Sequence, residues 1–458
     1  MMNDQTRTPD SITFEERDEF QRNPIAEKLI QLLTSNIDVS PMVIDGHWGT
    51  GKTEFCYKLI NLLKETHPDV HVAYVDAFKA DHANEPLMTL VAAIANLIED
   101  KESERSFREK AIPALRYGLK TLGKAGVAWV LKKNADDIPD EFEELIQEAA
   151  EDSINAAIEQ SIKDHQDIEA VLTTLQEALE RIAEEKPLIL FIDELDRCKP
   201  DFAIAMLESI KHVFDVPNVQ FVLVSNLKQL KDSINHCYGV GVDAQRYLDK
   251  FVSYTLVLPD ELTQNRHNYV LASIEYIKLL IEKSGTLAES DLAKEGIFEF
   301  IKTLIRENAL SLREVETFIR HLEVGQILGG ATYFSAALPF GRFLLNVLGV
   351  FIYCFKKDIA EPLTRGSADA KQITKLLGIE EFPDRNSIGP YPSPERVVSA
   401  LLFYSLPVGV PGIPEDNSDD DKFWKGVIGD YFQGSLRHSM DGYYVKIISD
   451  TIRLLRME

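Results

Sequence analysis

An α/β fold built on a parallel sheet is predicted for this chain of 458 residues, and three stretches predict it. In the first, MVID (Met42 to Asp45) reads as a buried strand that passes through a glycine-rich turn into a helix, FCYKLINLLKE (Phe55 to Glu65). In the second, the unbroken apolar run LILFI (Leu188 to Ile192) ends in Asp193, Glu194 and Asp196. In the third, VQFVLVSN (Val219 to Asn226) is another apolar run with a polar end. Strands of this kind are apolar on both faces because helices cover both sides of the sheet.

The turn in the first stretch carries chemistry. Gly46, Gly49, Gly51, Lys52 and Thr53 stand at the spacing G-x-x-x-x-G-K-[ST] of a P-loop, between a strand and a helix as that motif requires. Glycines let backbone N–H groups approach phosphate oxygens, and the helix N-terminus adds its positive dipole. Gly46, His47, Trp48, Gly49, Thr50, Gly51, Lys52, Thr53 and Glu54 are therefore the candidate nucleotide-binding set. Lys52 would reach the β- and γ-phosphates, and the Thr53 hydroxyl would ligand Mg²⁺. A glycine-rich turn that merely caps a helix is the competing reading, and the flanking strand and helix disfavour it.

Composition narrows the function classes. Hydrophobic content of 45% and charged content of 27% are ordinary for a globular protein, and the length suits two or three domains. A net charge of −25 disfavours a protein whose main work is gripping phosphate backbones, although a local basic patch stays open. Cys56, Cys198, Cys237 and Cys354 form no CxxC pair, so neither a disulfide framework nor a structural zinc is expected. The polar, acidic N-terminal stretch is no signal peptide. The expected location is the cytoplasm, at most peripheral to the inner membrane face.

Along the chain, residues 1–13 read as a flexible arm. Phe14 to Ser35 carries Ile25, Leu29, Leu32 and Leu33 at helical spacing, with Phe20, Arg22 and Ile25 as candidates for contact with a base. After the P-loop helix, Val70 to Phe78 reads as a strand and Glu85 to Asp100 as a helix. His67 and His71 are four apart, but Pro68 between them argues against a helical metal pair. Residues 101–186 are helical in pattern, a basic apolar piece (Ala114 to Lys133) and then an acidic arm (Asp136 to Lys186), and form an inserted helical subdomain. Residues 14–100 and 187–259 then make up the nucleotide core.

At the C-terminal end of LILFI a parallel sheet presents ligands to its crevice, so Asp193 is assigned to Mg²⁺ and Glu194 to activation of the attacking water. Asp196 is the fallback for the second role. Ser225 or Asn226 would sense the γ-phosphate from the next strand. Arg246 is a candidate arginine finger for a neighbouring subunit, with a surface salt bridge as the competing reading. Thr255 to Pro259 is the last strand. From about Asp260 the pattern is helical: His267 to Gly285, Gly296 to Glu307 and Ser311 to Leu328 form a lid over 260–325, with Arg313 as a second sensor.

Residues 326–458 form a mostly helical domain. Its stretch Ile327 to Phe355 is about long enough to cross a bilayer, but Pro339, Arg342 and Asn346 stand near the middle. A buried helical hairpin broken near Pro339 is the preferred reading. The acids from Glu415 to Asp421 lack the glycine and terminal glutamate of an EF-hand and read as a solvated loop.

With these residues in place the chain resembles the KAP family of P-loop NTPases. The likeness runs in order through DEFQRNPIAEKL, GHWGTGKTE, YVDAFKADHANEPL, ILFIDELDRCKPDFAIAMLESIKHVF, FVLVSNLKQLKDSI, YGVGVDAQRYLDKFVSYTLVLP and LSLREVETFIRHL, over residues 14 to about 325. The block with Asp196, Arg197 and Cys198 behind the acids is the most specific. The resemblance implies ATP binding and hydrolysis on an additional-strand P-loop core with strand order 5-1-4-3-2. Many members carry transmembrane helices between the two Walker motifs. The insertion here is too charged to span, so the chain resembles the soluble members. Bacterial relatives are associated with defence against phage, beside partner proteins, a role carried here by analogy alone.

The expectation is thus an ATPase with ATP and Mg²⁺ as cofactors, served by Lys52, Glu194, Asn226, Arg313 and Arg246, that couples nucleotide state to protein partners or a homo-oligomer. Nucleic acid is not expected as the main ligand. No guanine-reading N-K-x-D stands in a suitable place, which favours ATP over GTP. The alternative is a slow signalling switch or scaffold that binds ATP with negligible turnover.

Overall fold

The computed structural model describes residues 11–83, 86–98, 100–119, 164–265, 268–335, 337–385, 391–406, 412–432 and 442–458. Expectations for residues 1–10 and for 120–163 of the insertion lie outside the described residues. The chain divides into two compact units, with the division after Pro259.

In the first unit, α1 (Asn23–Leu33), β1 (Met42–Asp45), α2 (Lys52–Thr66), β2 (His71–Asp76), α3 (Ala77–Ala80), α4 (Pro86–Ala95) and α5 (Lys101–Leu119) come first. Then follow α6 (Asp164–Glu185), β3 (Leu188–Asp193), α7 (Pro200–Val213), β4 (Val219–Ser225), α8 (Leu227–Tyr238), α9 (Ala244–Leu248) and β5 (Tyr254–Val257). The five strands form a parallel sheet in the order β2-β3-β4-β1-β5, the order the resemblance implies. Side chains alternate across a strand. Val43, Leu190, Ile192, Phe221 and Leu223 therefore enter one core, and Met42, Ile44, Ile189, Phe191, Val222 and Val224 enter the other. Helices α1 and α2 cover the second core. The first is covered by α4, α7 and α8, joined by Phe107 and Ala111 of α5 and Leu175 and Leu179 of α6, so the described ends of the insertion pack on the nucleotide core.

This order positions the site. It sets β1 beside β4 and β4 beside β3, with Asp45 opposite Ser225 and Asp193 opposite Val224. The glycine-rich turn after β1 and the acids after β3 thus emerge at one edge of the sheet, a single strand apart.

Local chemistry trims several expected elements. The helix expected from Phe14 begins only at Asn23, because Asp18 Oδ1 and Oδ2 accept from the N–H groups of Arg22 (2.8 Å) and Asn23 (3.0 Å), and Pro24 stands in the first turn. The strand expected to Phe78 stops at Asp76, whose carboxylate caps α3 by accepting from the Lys79 N–H at 2.9 Å.

The second unit opens with a departure. Residues after Asp260 were expected to be helical, but β6 (Glu261–Asn265) and β7 (Asn268–Leu271) pair as an antiparallel hairpin. In a run as short as NYVL helical and strand spacing coincide, and pairing decides. Helices α10 (Ala272–Lys283), α11 (Glu295–Glu307), α12 (Leu312–Gly329), α13 (Phe340–Phe355), α14 (Lys357–Arg365), α15 (Ala370–Thr374), α16 (Pro394–Ser405), α17 (Asp419–Phe432) and α18 (Tyr443–Arg456) follow. The boundary expected at 325/326 falls inside α12, which packs on α13 and α18.

The apolar stretch does break near Pro339, which precedes α13. Arg342 is exposed, while Asn346 is buried with its Nδ2 donating to the Tyr333 carbonyl at 3.4 Å. Among the described residues no helix is long and apolar enough to cross a membrane. The acid cluster is not wholly a solvated loop. Asp419 to Asp421 start α17, and Asp421 is 2% exposed.

Candidate nucleotide site

The glycine-rich turn has the backbone its sequence requires. Gly49 and Gly51 adopt φ of +80° and +81°, which side-chain-bearing residues rarely take. A Cβ on Gly46 would lie 2.8 Å from Thr50 Oγ1, so glycine there is a packing requirement. Lys52 Nζ donates to the carbonyls of Gly46 (2.6 Å) and His47 (3.1 Å). Burial lowers the Lys52 pKa, against the raising effect of Asp196, Asp193 and Asp45. The His47 and Trp48 side chains are exposed.

The acids after β3 converge on this turn. Asp193, 1% exposed, accepts from the Glu194 N–H at 2.7 Å and the Tyr74 hydroxyl at 3.1 Å, and the nearby Thr53 hydroxyl favours its charged form. Burial raises its pKa, and those bonds oppose the rise. Glu194 stands at φ +61°, a left-handed conformation that costs about 1–2 kcal/mol in a residue with a Cβ. Its Oε1 lies 2.7 Å from Arg197 Nη1. Burial also raises the Glu194 pKa, opposed by Arg197 and reinforced by Asp193 and Asp76. Asp196 accepts from Trp48 Nε1 at 2.6 Å and Ser225 Oγ at 3.1 Å.

The remaining expected residues fall in different places. Asn226 caps α8, its Oδ1 accepting from the N–H groups of Lys228 (3.1 Å) and Gln229 (3.4 Å), which leaves the Nδ2 amino group to serve a ligand. Glu54 points into an ion cluster with Arg17 (2.6 Å) and Lys58 (2.9 Å). Arg22 is buried behind the turn, donating to the carbonyls of Thr50 (2.9 Å) and Pro259 (3.1 Å), with Phe20 beneath its guanidinium. Ile25 packs against the core shared by α1 and α2. Arg246 is 86% exposed and pairs with Asp243 at 3.4 Å. Arg313 is exposed on the first turn of α12, in the second unit. Sequence reasoning missed three contacts: Trp48 with Asp196, Arg197 with Glu194, and Tyr74 with Asp193. The letters of all three stand inside quoted motif blocks, but their pairing does not show in spacing.

The donor set fits a nucleoside triphosphate with Mg²⁺. The glycine cradle, a buried lysine and a hydroxyl already set against a buried carboxylate are the groups such a ligand needs. Among the described residues no cluster of His, Cys, Asp and Glu forms a separate metal site.

The family comparison agrees with this geometry. The chain is similar to the Phage T7 exclusion protein of Escherichia coli (strain K12), 24% identical over 248 residues, which is 51% of this chain and 32% of that protein. The chain thus matches about a third of the length of that relative. Among solved structures, the Aeropyrum pernix ORC2 protein (ADPNP-ADP complexes) aligns over 95% of both chains at 13% identity and a TM-score of 0.32. A family model described as the KAP family P-loop domain matches residues 22–328, well over half of the sequence. This chain, with its glycine cradle facing the acids of β3, belongs to the KAP family of P-loop NTPases.

Proposed function

We propose that the protein binds ATP with Mg²⁺ and hydrolyses it, and that nucleotide state controls association with a protein partner. One observation carries this reading: Thr53, Lys52, Asp193 and Glu194, drawn from two distant segments, converge at one edge of the sheet, where Thr53 and Lys52 both act to lower the pKa of the buried Asp193. The backbone N–H groups of the turn and Lys52 would hold the β- and γ-phosphates. Thr53 and Asp193 would hold Mg²⁺, which when bound supplies charge neutralisation between the phosphates. Glu194 would orient and deprotonate the attacking water, and Asn226 would donate toward the γ-phosphate. Phosphoryl transfer needs little covalent help, so the site works by position and charge.

The relative's name, a phage exclusion protein, supports a role in defence against phage, and we propose that this role is reached through partners rather than through nucleic-acid binding. The net charge of −25 supports the same preference. A second reading, a switch that binds ATP with negligible turnover, is favoured by the Glu194–Arg197 ion pair, which engages the water-activating carboxylate. Steady-state ATP hydrolysis by the protein, by Lys52→Ala and by Glu194→Gln, with nucleotide retention measured for all three, separates the two. Turnover lost in both variants, with ATP retained by Glu194→Gln, supports the ATPase. Tight retention without turnover in the unaltered protein overturns it in favour of the switch.

A further inference from the structure

We propose that Trp48 and Asp196 form a strut that holds the P-loop and the turn after β3 in register, which makes Asp196 a positioning residue and not the group that activates water. The inference rests on the nucleotide site proposed above. Asp196 is 8% exposed and joins three elements: Oδ2 accepts from the Trp48 indole of the P-loop, and Oδ1 accepts from Ser225 at the end of β4. An indole has one donor and no acceptor, so this bond alone fixes which way Trp48 faces. Trp48 is 49% exposed, so packing covers only part of it. Both carboxylate oxygens of Asp196 already take a donor, one from the P-loop and one from the end of β4. Glu194 carries no such pair of neutral donors and pairs instead with Arg197 at 2.7 Å.

A strut between Trp48 and Asp196 thus sets the shape of the loop.

The test is a double-mutant cycle on the full chain with Trp48→Phe, Asp196→Asn and their combination, with Ser225→Ala as a further variant. Three readouts apply: the Trp48 emission without ligand, taken as the difference from Trp48→Phe; affinity for a fluorescent ATP analogue; and ATP turnover. Asp196→Asn is expected to shift the Trp48 emission maximum. Each single change is expected to weaken analogue affinity and turnover by about tenfold, and the double variant to fall no further than the worse single one, because coupled residues are non-additive. Effects that multiply, or an unshifted Trp48 emission in Asp196→Asn, overturn the strut. Loss of turnover alone in Asp196→Asn, with affinity and emission unchanged, would make Asp196 the water-activating acid instead. If the unaltered protein binds the analogue without hydrolysing ATP, the hydrolysis reading fails, while emission and the affinity cycle still decide the strut.

Discussion

Arg197 Nη1 stands 2.7 Å from Glu194 Oε1, across one turn of 3-10 helix (Leu195–Arg197) whose N-cap is Glu194 itself. The pair ties the carboxylate proposed to activate water to the turn that follows it, in a conformation with positive φ. Arg197→Ala is expected to lower ATP turnover about tenfold, equivalent to about 1.4 kcal/mol of lost positioning, with ATP affinity little changed. Arg197→Lys should recover part of the loss. Faster turnover in Arg197→Ala would mean that the ion pair restrains Glu194, and would favour the switch.

Gly46 and Thr50 are predicted to be coupled. A Cβ at Gly46 meets Thr50 Oγ1 at 2.8 Å, so Gly46→Ala should weaken ATP binding at least tenfold, or about 1.4 kcal/mol. Thr50→Ala removes the obstructing oxygen, and the double variant should bind more tightly than Gly46→Ala alone. Equal affinities by isothermal titration would show that the backbone conformation, and not this contact, demands glycine.

Asp421 is predicted to make the second unit sensitive to acid. Burial alone would raise its pKa, but bonds from Lys425 (2.8 Å), the Asn417 N–H (2.9 Å) and the Tyr404 hydroxyl (3.1 Å) outweigh burial and hold it below the usual carboxylate range. A depressed folded-state pKa contributes stability above the unfolded value of about 3.9, and that stability is lost as pH falls through the folded value. Asp421→Asn should cost about 1–3 kcal/mol at pH 7 and lose less on acidification. Denaturant titrations at pH 7 and pH 3 check this; identical acid losses in both proteins would remove Asp421 from the account.

Two helical glycines should respond oppositely to alanine. A Cβ on Gly349, in α13, would lie 2.7 Å from Thr451 Cβ and 3.2 Å from the Ile448 carbonyl oxygen. Overpacking of about 1–3 kcal/mol should outweigh the gain in helix propensity of about 1 kcal/mol. Gly426, in α17, is exposed with open space around it, so alanine there should stabilise by up to about 1 kcal/mol. Thermal unfolding should move in opposite directions for the two. A rise with Gly349→Ala would show that the helix pair has room to separate.

The site was legible where its chemistry is contiguous. The spacing of Gly46 to Thr53 and the run from Leu188 to Glu194 identify a phosphate cradle and its acids because one turn and one strand end suffice to build each. Asn226 stands at the end of β4, and its side-chain carbonyl oxygen caps α8. The hairpin of β6 and β7 was not legible, because its strands are too short for periodicity to separate them from helix.

By itself, then, the sequence determined the alternation of buried strands and amphipathic helices, the P-loop and the acids of β3, all of which are written within a few residues of one another. Only the tertiary structure decided that Trp48 meets Asp196 across 148 residues, that Arg22 supports the Thr50 carbonyl from behind, and that residues 260–325 join the C-terminal helices in one unit. Those contacts depend on which strand lies beside which and on the fixed donor directions of an indole and a guanidinium. Local spacing carries no record of either.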